Sequence, residues 1–420
     1  MSEACEVSES NGWQDLRWGD IATLEYGKSL KGYREKTSGV PVYGTNGPIG
    51  FNDEALCETA GVVIGRKGAY RGVHFSPDAF FVIDTAFYLK PKIEFDIKWA
   101  YYELLTKDIN SMDSGSAIPS TSREDFYGLP VKVPPLPEQR AIASILGALD
   151  DKIELNRRMN ATLESLARAI FKSWFVDFDP VKINAGQMPA DSYDPTLLSL
   201  FPSTFQDSEL GPLPEGWRIE TLGDHVELQR GKTYKSKLKG TPGPYLLGLG
   251  TIERNGGFRA EKLVTYGGDN PQNLLLYPGD LYVSLKDVTQ SADLLGSVAR
   301  VPNSIEVGRL TQDTVKLVFN ANAPSRSIVY RTLLTPAYRE YCRSCATGTT
   351  NLGLAREDFL SYPLIVPPEE IENAFDDTMC QIEGQIDMNE RESSSLARSR
   401  DLLLPKLLSG ELQADQVREN

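Results

Sequence analysis

Two acids and a lysine, at Pro77-Asp78 and Asp96-Ile97-Lys98, spell a loose metal-dependent nuclease pattern. In such a site paired carboxylates hold Mg2+ and the lysine polarises the attacking water. The spelling arises easily by chance, and Asp96 also opens a predicted helix, where aspartate caps free amides. Gly27-Lys28-Ser29 and Gly231-Lys232-Thr233 imitate the end of a phosphate-binding loop. The glycine that such a loop requires five positions earlier is Ala22 in one and Val226 in the other, so no nucleotide cradle is supported. Cys342 and Cys345 form one C-x-x-C without the second pair that tetrahedral zinc needs. The only histidines are His74 and His225, which disfavours mechanisms built on several imidazoles.

Basic side chains cluster where enzyme motifs fail. From Arg230 to Gly250 stand Arg230, Lys232, Lys235, Lys237 and Lys239 with no acid, and Tyr234 and Tyr245 interleave them. An earlier stretch is similar: Lys28, Lys31, Arg34 and Lys36 surround Tyr33 with only Glu35 opposing, and Arg66, Lys67 and Arg71 lie in the acid-free stretch 59–77. Basic loops with interleaved aromatics suit phosphate contacts. Base readout needs side chains that donate and accept at base edges. Glycine-rich loops offer Thr45 and Asn46, beside Tyr43, then Arg66 and Lys67, and later Asn255, Lys286 and Gln290. A solvated loop is the ordinary reading of any one run; recurrence after a Gly-Lys pair favours a nucleic-acid face.

The elements that position these residues are written twice. Residues 12–31 and 216–235 align at an offset of 204 with eight identities in twenty positions, among them Gly19/Gly223, Asp20/Asp224, Leu24/Leu228 and Gly27/Gly231. A second block aligns 115–135 with 348–368 at an offset of 233, sharing Gly115/Gly348, the run Arg-Glu-Asp-Phe at Arg123 and Arg356, and Val-Pro-Pro. The second copy carries 29 more residues between the blocks, with little similarity. Short apolar runs bounded by Gly, Pro and Asn predict strands at Val62–Ile64, Phe80–Leu89, Leu281–Leu285, Ser297–Val301 and Thr314–Phe319, with helices at Ile97–Ile109 and at Ile328–Ala346, the latter interrupted near Pro336. Each copy reads as mixed α and β.

After each Val-Pro-Pro the hydrophobic period becomes helical. Ile142, Ile145, Leu146, Leu149, Ile153, Met159, Leu163, Leu166 and Ile170 make a near-heptad seam interrupted by Asn156, and Phe375, Met379, Ile382, Ile386, Leu396 and Leu403 repeat it more weakly around Asn389. A buried asparagine there either fixes register or marks a polar break where helices splay. The segment between, with Pro180, Pro189, Pro195, Pro202, Pro212 and Pro214, cannot be one helix, but Phe178, Leu198, Phe201 and Phe205 make it an ordered strap. The boundaries read as domains at 12–136 and 216–368, long helices at 137–175 and 369–410, and the strap at 176–215.

Length and charge bound the whole. The chain has 420 residues, 44 Lys plus Arg against 58 Asp plus Glu, a net charge of −14, and 40% hydrophobic residues. At about 150 residues per domain, that suggests roughly two to three domains. Eleven acids and one arginine in 357–392 concentrate the negative charge on the distal helix and leave the copies with basic loops. Five scattered cysteines suit a reducing cytoplasm. No apolar run reaches membrane-span length, and the acidic start (MSEACEVSES) disfavours secretion.

The run PLPEQRAIASILGALDDKIELNRRMNATLESLARAIFKSWFVDFDPV, followed by SELGPLPEGW, resembles the central region of type I restriction-modification specificity subunits. The resemblance is specific over about eighty residues and extends to the doubled layout. It implies an α+β chain in which two similar mixed α/β target recognition domains are joined by two long antiparallel helices, a coiled-coil spacer with a pseudo-twofold internal repeat. It implies no active site and no cofactor in this chain. The partners it implies are double-stranded DNA, two adenine-N6 methyltransferase subunits carrying S-adenosylmethionine, and ATP- and Mg-dependent restriction and translocase subunits. The helix seam (Ile142, Leu149, Ile153, Leu163, Ile170, Phe375, Ile382, Ile386, Leu396) would then dock subunits, and the loop residues above would meet DNA. The alternatives are a stand-alone nuclease using Asp78, Asp96 and Lys98, and a coiled-coil adaptor that touches only protein.

Overall fold

Four strands of the first copy form an antiparallel sheet in the order Ala22–Tyr26, Ala86–Pro91, Gly61–Gly65, Val73–Ser76. The computed structural model describes residues 12–112, 119–190, 193–349 and 351–418; Gly115 of the repeat and Cys5 lie outside the described residues. The second copy builds the same sheet from Val226–Arg230, Thr314–Phe319, Leu281–Ser284 and Val298–Arg300. Each copy adds a three-stranded sheet with one parallel pair. In the first copy Val40–Gly44 lies between Gly47–Asn52 and Phe81–Val82; in the second Gly308–Leu310 lies between Tyr245–Leu247 and Leu275–Leu276. A two-stranded ribbon closes each copy by pairing its start with its end: Gln14–Arg17 with Pro130–Val133, and Arg218–Thr221 with Pro363–Val366.

The repeated identities have local causes. A Cβ on Gly27 would lie 2.1 Å from the carbonyl oxygen of Ile83, and one on Gly231 would lie 1.8 Å from that of Thr311, so only glycine permits these close approaches. The same glycine amides donate to Ala86 O and Thr314 O. Asp20 accepts from the Arg17 amide at 2.9 Å and Asp224 from the Thr221 amide at 2.7 Å, closing equivalent turns. Phe126 and Phe359 of the shared Arg-Glu-Asp-Phe run are fully buried.

Predicted elements shift where turns intervene. The stretch Phe80–Leu89 is two strands, Phe81–Val82 and Ala86–Pro91, because Ile83 donates its amide to Tyr43 O and accepts at its own carbonyl from Ala86, a turn no strand can contain. The helix from Ile97 ends at Leu105 and resumes only as a short turn at Ile109–Ser111, started by Asp108. The later pattern splits into Arg326–Thr332 and Pro336–Ser344, with Thr335 capping the second piece.

Two long helices carry the remaining pattern: a central one, Leu136–Phe175, and a distal one, Glu369–Ser409, of 40 and 41 residues. At 1.5 Å per residue each is about 60 Å long. The chain divides into two compact units, Met1–Leu155 with Ser393–Asn420, and Asn156–Glu392, so each long helix contributes to both. In the first unit Ile142, Ala143 and Leu146 of the central helix pack with Leu403, Leu404 and Leu407 of the distal helix. In the second, Ala167, Phe171, Trp174 and Phe175 pack with Ile371, Phe375, Met379 and Ile382. Early central residues thus meet late distal ones and the reverse, an antiparallel pairing. Val181, Phe201 and Leu213 of the strap join the second of these cores.

The asparagines settle the choice left open above. Asn156 is buried and donates to Glu392 Oε2 at 2.8 Å, and Asn389 donates to Asn160 Oδ1 at 2.8 Å. Paired polar groups across the seam keep the helices together; there is no splay at these positions. Met159 and Leu166, expected in the seam, are instead exposed at 38% and 47%. A straight helix of 3.6 residues per turn drifts about 20° per heptad from a 3.5 repeat, which carries them off the contact.

Candidate nucleic-acid interface

In the first unit the basic and polar loops converge on the turn Ile83–Thr85. The Lys28 amide donates to Val82 O at 2.9 Å, which fixes the loop that bears Lys28, Lys31 and Tyr33. That loop's far end is held where Phe51 donates to Tyr33 O. The amides of Arg66 and Lys67 donate to Thr85 O at 2.9 and 3.1 Å. Arg66 turns its guanidinium inward, donating to Asp84 O at 2.8 Å and lying 4.8 Å over the Tyr26 ring, whereas Lys67 is exposed. The Thr45 hydroxyl lies 2.8 Å from Lys67 O and 2.7 Å from Thr85 O, so it braces these loops. Asn46 is exposed, and its carboxamide, oriented with nitrogen as donor, reaches Tyr70 O at 2.7 Å.

The second unit repeats the plan on the turn Thr311–Thr314. Gly231 donates to Thr314 O, and Lys232 bridges to Thr311. Arg230, Lys232, Lys235 and Lys237 are exposed, and among the described residues no ion pair holds any of the four. Tyr234 packs edge-on to Tyr266 at 6.0 Å, with Lys239 4.8 Å over its face. Lys286 meets the other side of the turn, 3.7 Å from Asp313. Gln290 donates to Thr349 O at 3.3 Å, and Lys286, Gly348 and Asn351 line a cavity of about 450 Å³. Asn255 stands apart: in left-handed backbone, it accepts from Arg343 and belongs to the loop near Asp293.

Three polar residues hold these loops, of which the sequence singled out only Arg71, and that as a loop cation. Arg309 is 3% exposed and donates to Lys232 O, Thr233 O and Asp269 O, with its guanidinium 4.9 Å over Tyr266. It is a buried cation under the basic loop, neutralised by carbonyl dipoles. Asp287 is buried and accepts from the amides of Thr289 and Leu294 at 2.8 and 2.7 Å. Burial pushes its carboxyl up, but these donors prevail and hold it below the usual carboxylate range. Arg71, also buried, donates to Asn110 O at 2.7 Å and ties the 66–72 loop to the sheet's flanking helix segment. No local pattern marks these roles of Arg309 and Arg71, because their partners are about 40 to 77 positions away, whereas the partners of Asp287 lie two and seven positions on.

The acids of the distal helix are largely engaged inside the second unit. Glu383 lies 2.8 Å from Arg300 and 3.9 Å from Arg331, and the buried Arg331 also holds Glu164 at 2.8 Å. Burial raises the Glu383 pKa, opposed by these two arginines. Of the seam residues expected to dock other subunits, Ile142, Phe375 and Ile382 are buried in the chain's own cores, and Leu149, Ile153, Leu163, Ile170, Ile386 and Leu396 are half-buried. The three buried side chains are consumed inside the chain and cannot also face a partner.

Two of the residues of the nuclease pattern, Asp96 and Lys98, have other work. Asp96 Oδ1 accepts the amides of Lys98 and Trp99 as a helix cap, and Lys98 Nζ lies 3.4 Å from Asp151. The buried Cys342 faces Tyr338 and Gly296. No helix among the described residues is long and apolar enough to cross a membrane.

Residues 10–165 match the family described as the type I restriction modification DNA specificity domain. The chain is 26% identical over 337 residues to the type I restriction enzyme HindI specificity subunit of Haemophilus influenzae, covering 70% of this chain and 71% of that one. It is 24% identical over 333 residues to the MjaIX specificity subunit of Methanocaldococcus jannaschii, covering 76% and 70%. The solved S subunit of a type I restriction-modification system from M. genitalium superposes with a TM-score of 0.57 at 16% identity, covering 96% of this chain and 98% of that one, and so shares its fold. In sequence and in fold, this chain is similar to the specificity subunits of type I restriction-modification systems.

Proposed function

We propose that this chain is the DNA-specificity subunit of a type I restriction-modification complex, each unit reading one half of a bipartite target. The observation that carries the reading is the repeated plan. Two units with the same order in their four-stranded sheets gather divergent, lysine-bearing loops on equivalent turns, Ile83–Thr85 and Thr311–Thr314. A shared frame with different loop content suits two readers of different half-sites. The exposed lysines supply phosphate contacts and fix the register of each unit on the duplex.

The chain carries no catalytic step in this reading. The glycines of its Gly-Lys pairs serve close backbone approach, and Asp96 serves a helix cap, which leaves neither a phosphate cradle nor a carboxylate pair. Methyl transfer from S-adenosylmethionine belongs to two methyltransferase subunits, and ATP- and Mg-dependent translocation and cleavage to restriction subunits. Docking falls to apolar side chains that the seam leaves outside, such as Met159, Leu166 and Met388 on the helices of the second unit.

The test is reconstitution. The purified chain alone neither cuts nor methylates DNA, and addition of methyltransferase subunits yields a complex that methylates adenine at one bipartite sequence. Metal-dependent cleavage by the isolated chain, abolished by Asp78→Ala, would replace this reading with the nuclease.

A further inference from the structure

Tyr70 is 80% exposed, and its ring touches no other aromatic ring or cation among the described residues. The contrast with Tyr26 is informative, since that ring is covered by Arg66 and Arg123 at 4.8 and 5.3 Å. Exposure of a tyrosine on a floppy loop would mean little. Here the loop is held on both sides of the residue. Gly65 donates to Gly72 O at 2.8 Å, Gly68 to Pro119 O at 3.0 Å, and Gly72 to Thr45 O at 3.1 Å. Next to Tyr70, the Arg71 amide donates to Asn110 Oδ1 at 2.8 Å, and the Tyr70 carbonyl itself receives the Asn46 carboxamide. The backbone is pinned at nearly every step, and the ring projects from it.

A rigid loop that displays an aromatic ring presents large contact area at little entropic cost on binding, since only two side-chain torsions are left to fix. The surroundings indicate what meets it. The stretch 59–77 holds no acid, Lys67 is exposed three positions away, and Lys28 hangs from the turn that also anchors Arg66 and Lys67. An exposed ring flanked by cations fits a ligand with stacked, flat, apolar faces beside phosphates, which is nucleic acid.

Resting on the reading of the chain as a DNA-specificity subunit, we propose that Tyr70 is the base-contacting residue of the first unit, its ring lodging against the bases of that unit's half-site. Lys67 then holds the neighbouring phosphate, and Thr45, Asn46 and Arg71 act as positioning residues that keep the loop in place. The hydroxyl is dispensable, because the ring face provides the contact.

The experiment uses the full chain assembled with its methyltransferase subunits and a duplex carrying its own target. Dissociation constants are measured for the wild type, Tyr70→Phe and Tyr70→Ala, on the target and on duplexes altered in one half or the other. Tyr70→Ala weakens target binding roughly 5- to 150-fold, the range of one base-aromatic stack, and Tyr70→Phe stays within about twofold. Discrimination against changes in the first half-site falls in Tyr70→Ala, and discrimination in the second half is unchanged. A 2-aminopurine placed in the first half-site brightens on binding of the wild type and Tyr70→Phe but not of Tyr70→Ala. Because the ring is exposed, all three proteins unfold at the same denaturant midpoint. Wild-type affinity and discrimination in Tyr70→Ala would overturn the proposal, as would equal losses in both variants, which would assign the contact to the hydroxyl. A wild-type complex that selects no sequence would instead overturn the functional reading on which the proposal stands.

Discussion

Replacing Lys232, Lys235 and Lys237 together by alanine tests whether the basic loop of the second unit lies on DNA. All three side chains are exposed, none is held by an acid among the described residues, and the loop beneath them is fixed by Arg309. Each ammonium is therefore free to displace one counterion from the duplex. Counterion release gives a slope of about −0.9 per phosphate contact in a plot of log affinity against log salt. Loss of three contacts makes the slope shallower by about 2.7, and at 0.1 M salt lowers affinity by roughly 500-fold. Between 50 and 200 mM salt, wild-type affinity falls about 40-fold more than that of the variant. The assay is fluorescence anisotropy on target and unrelated duplexes across that salt range, with the methyltransferase subunits bound. The loss is alike for both duplexes, since phosphate contacts carry no sequence information. Lys286→Ala is the internal comparison: its ammonium already faces Asp313, so its loss changes the slope by less than one contact. Undiminished binding by the triple variant would remove this loop from the DNA face, and loss confined to the target with unchanged salt dependence would refute the phosphate assignment.

Arg331→Met strips a buried cation from Glu164 and Glu383, but Glu383 keeps Arg300 at 2.8 Å and Glu164 is partly exposed. The expected loss is about 2 to 3 kcal/mol in chemical denaturation, at the low end for a broken buried pair. Burial already raises the Glu383 pKa from its ordinary 4.5, and removal of Arg331 raises it further. A carboxyl raised in the folded state gives stability that is lost as pH rises through its folded pKa, so the deficit of Arg331→Met shrinks as pH is lowered from neutral towards 4.5; a pH-independent deficit would contradict this. Gly231→Ala forces a methyl onto Thr311 O and costs about 1 to 3 kcal/mol, whereas Gly384→Ala, in a helix with nothing within 4 Å, stabilises by about 0.5 to 1 kcal/mol; equal effects in thermal unfolding would contradict the packing. Inserting one heptad into each long helix, near Asn156 and Asn389, adds about 10.5 Å, or about three base pairs. Methylation mapping then finds the same half-sites with a longer gap, or lost binding in a folded protein; the original spacing would exclude the helices as the ruler.

What the sequence made legible is what has a local cause. Gly27 and Gly231 recur because a carbonyl presses on each, Asp20 and Asp224 because each closes a turn three residues away, and Phe126 and Phe359 because each fills a core. The long helices were readable from period alone. The exposure of Met159 and Leu166 was not, because a heptad template ignores the drift of a straight helix. The acids of the distal helix read only as a concentration of negative charge, yet Arg300 and Arg331, more than fifty residues before Glu383, pair with it. Among the site residues, exposed lysines were legible as loop charges. The roles of Thr45 and Asn46 were not, since both groups are satisfied by loop carbonyls, nor was Arg309, whose partners are distant in sequence.

The central claim, that this chain chooses the DNA sequence on which other subunits act, is tested most directly by mapping methylated adenines across the genome of the host with and without it. The account predicts that one bipartite motif loses adenine methylation when the chain is deleted and regains it on complementation. An exchange of residues 232–310 for the matching segment of a relative moves only one half of that motif. An unchanged methylation map after deletion, or both halves moving together after the exchange, would contradict it.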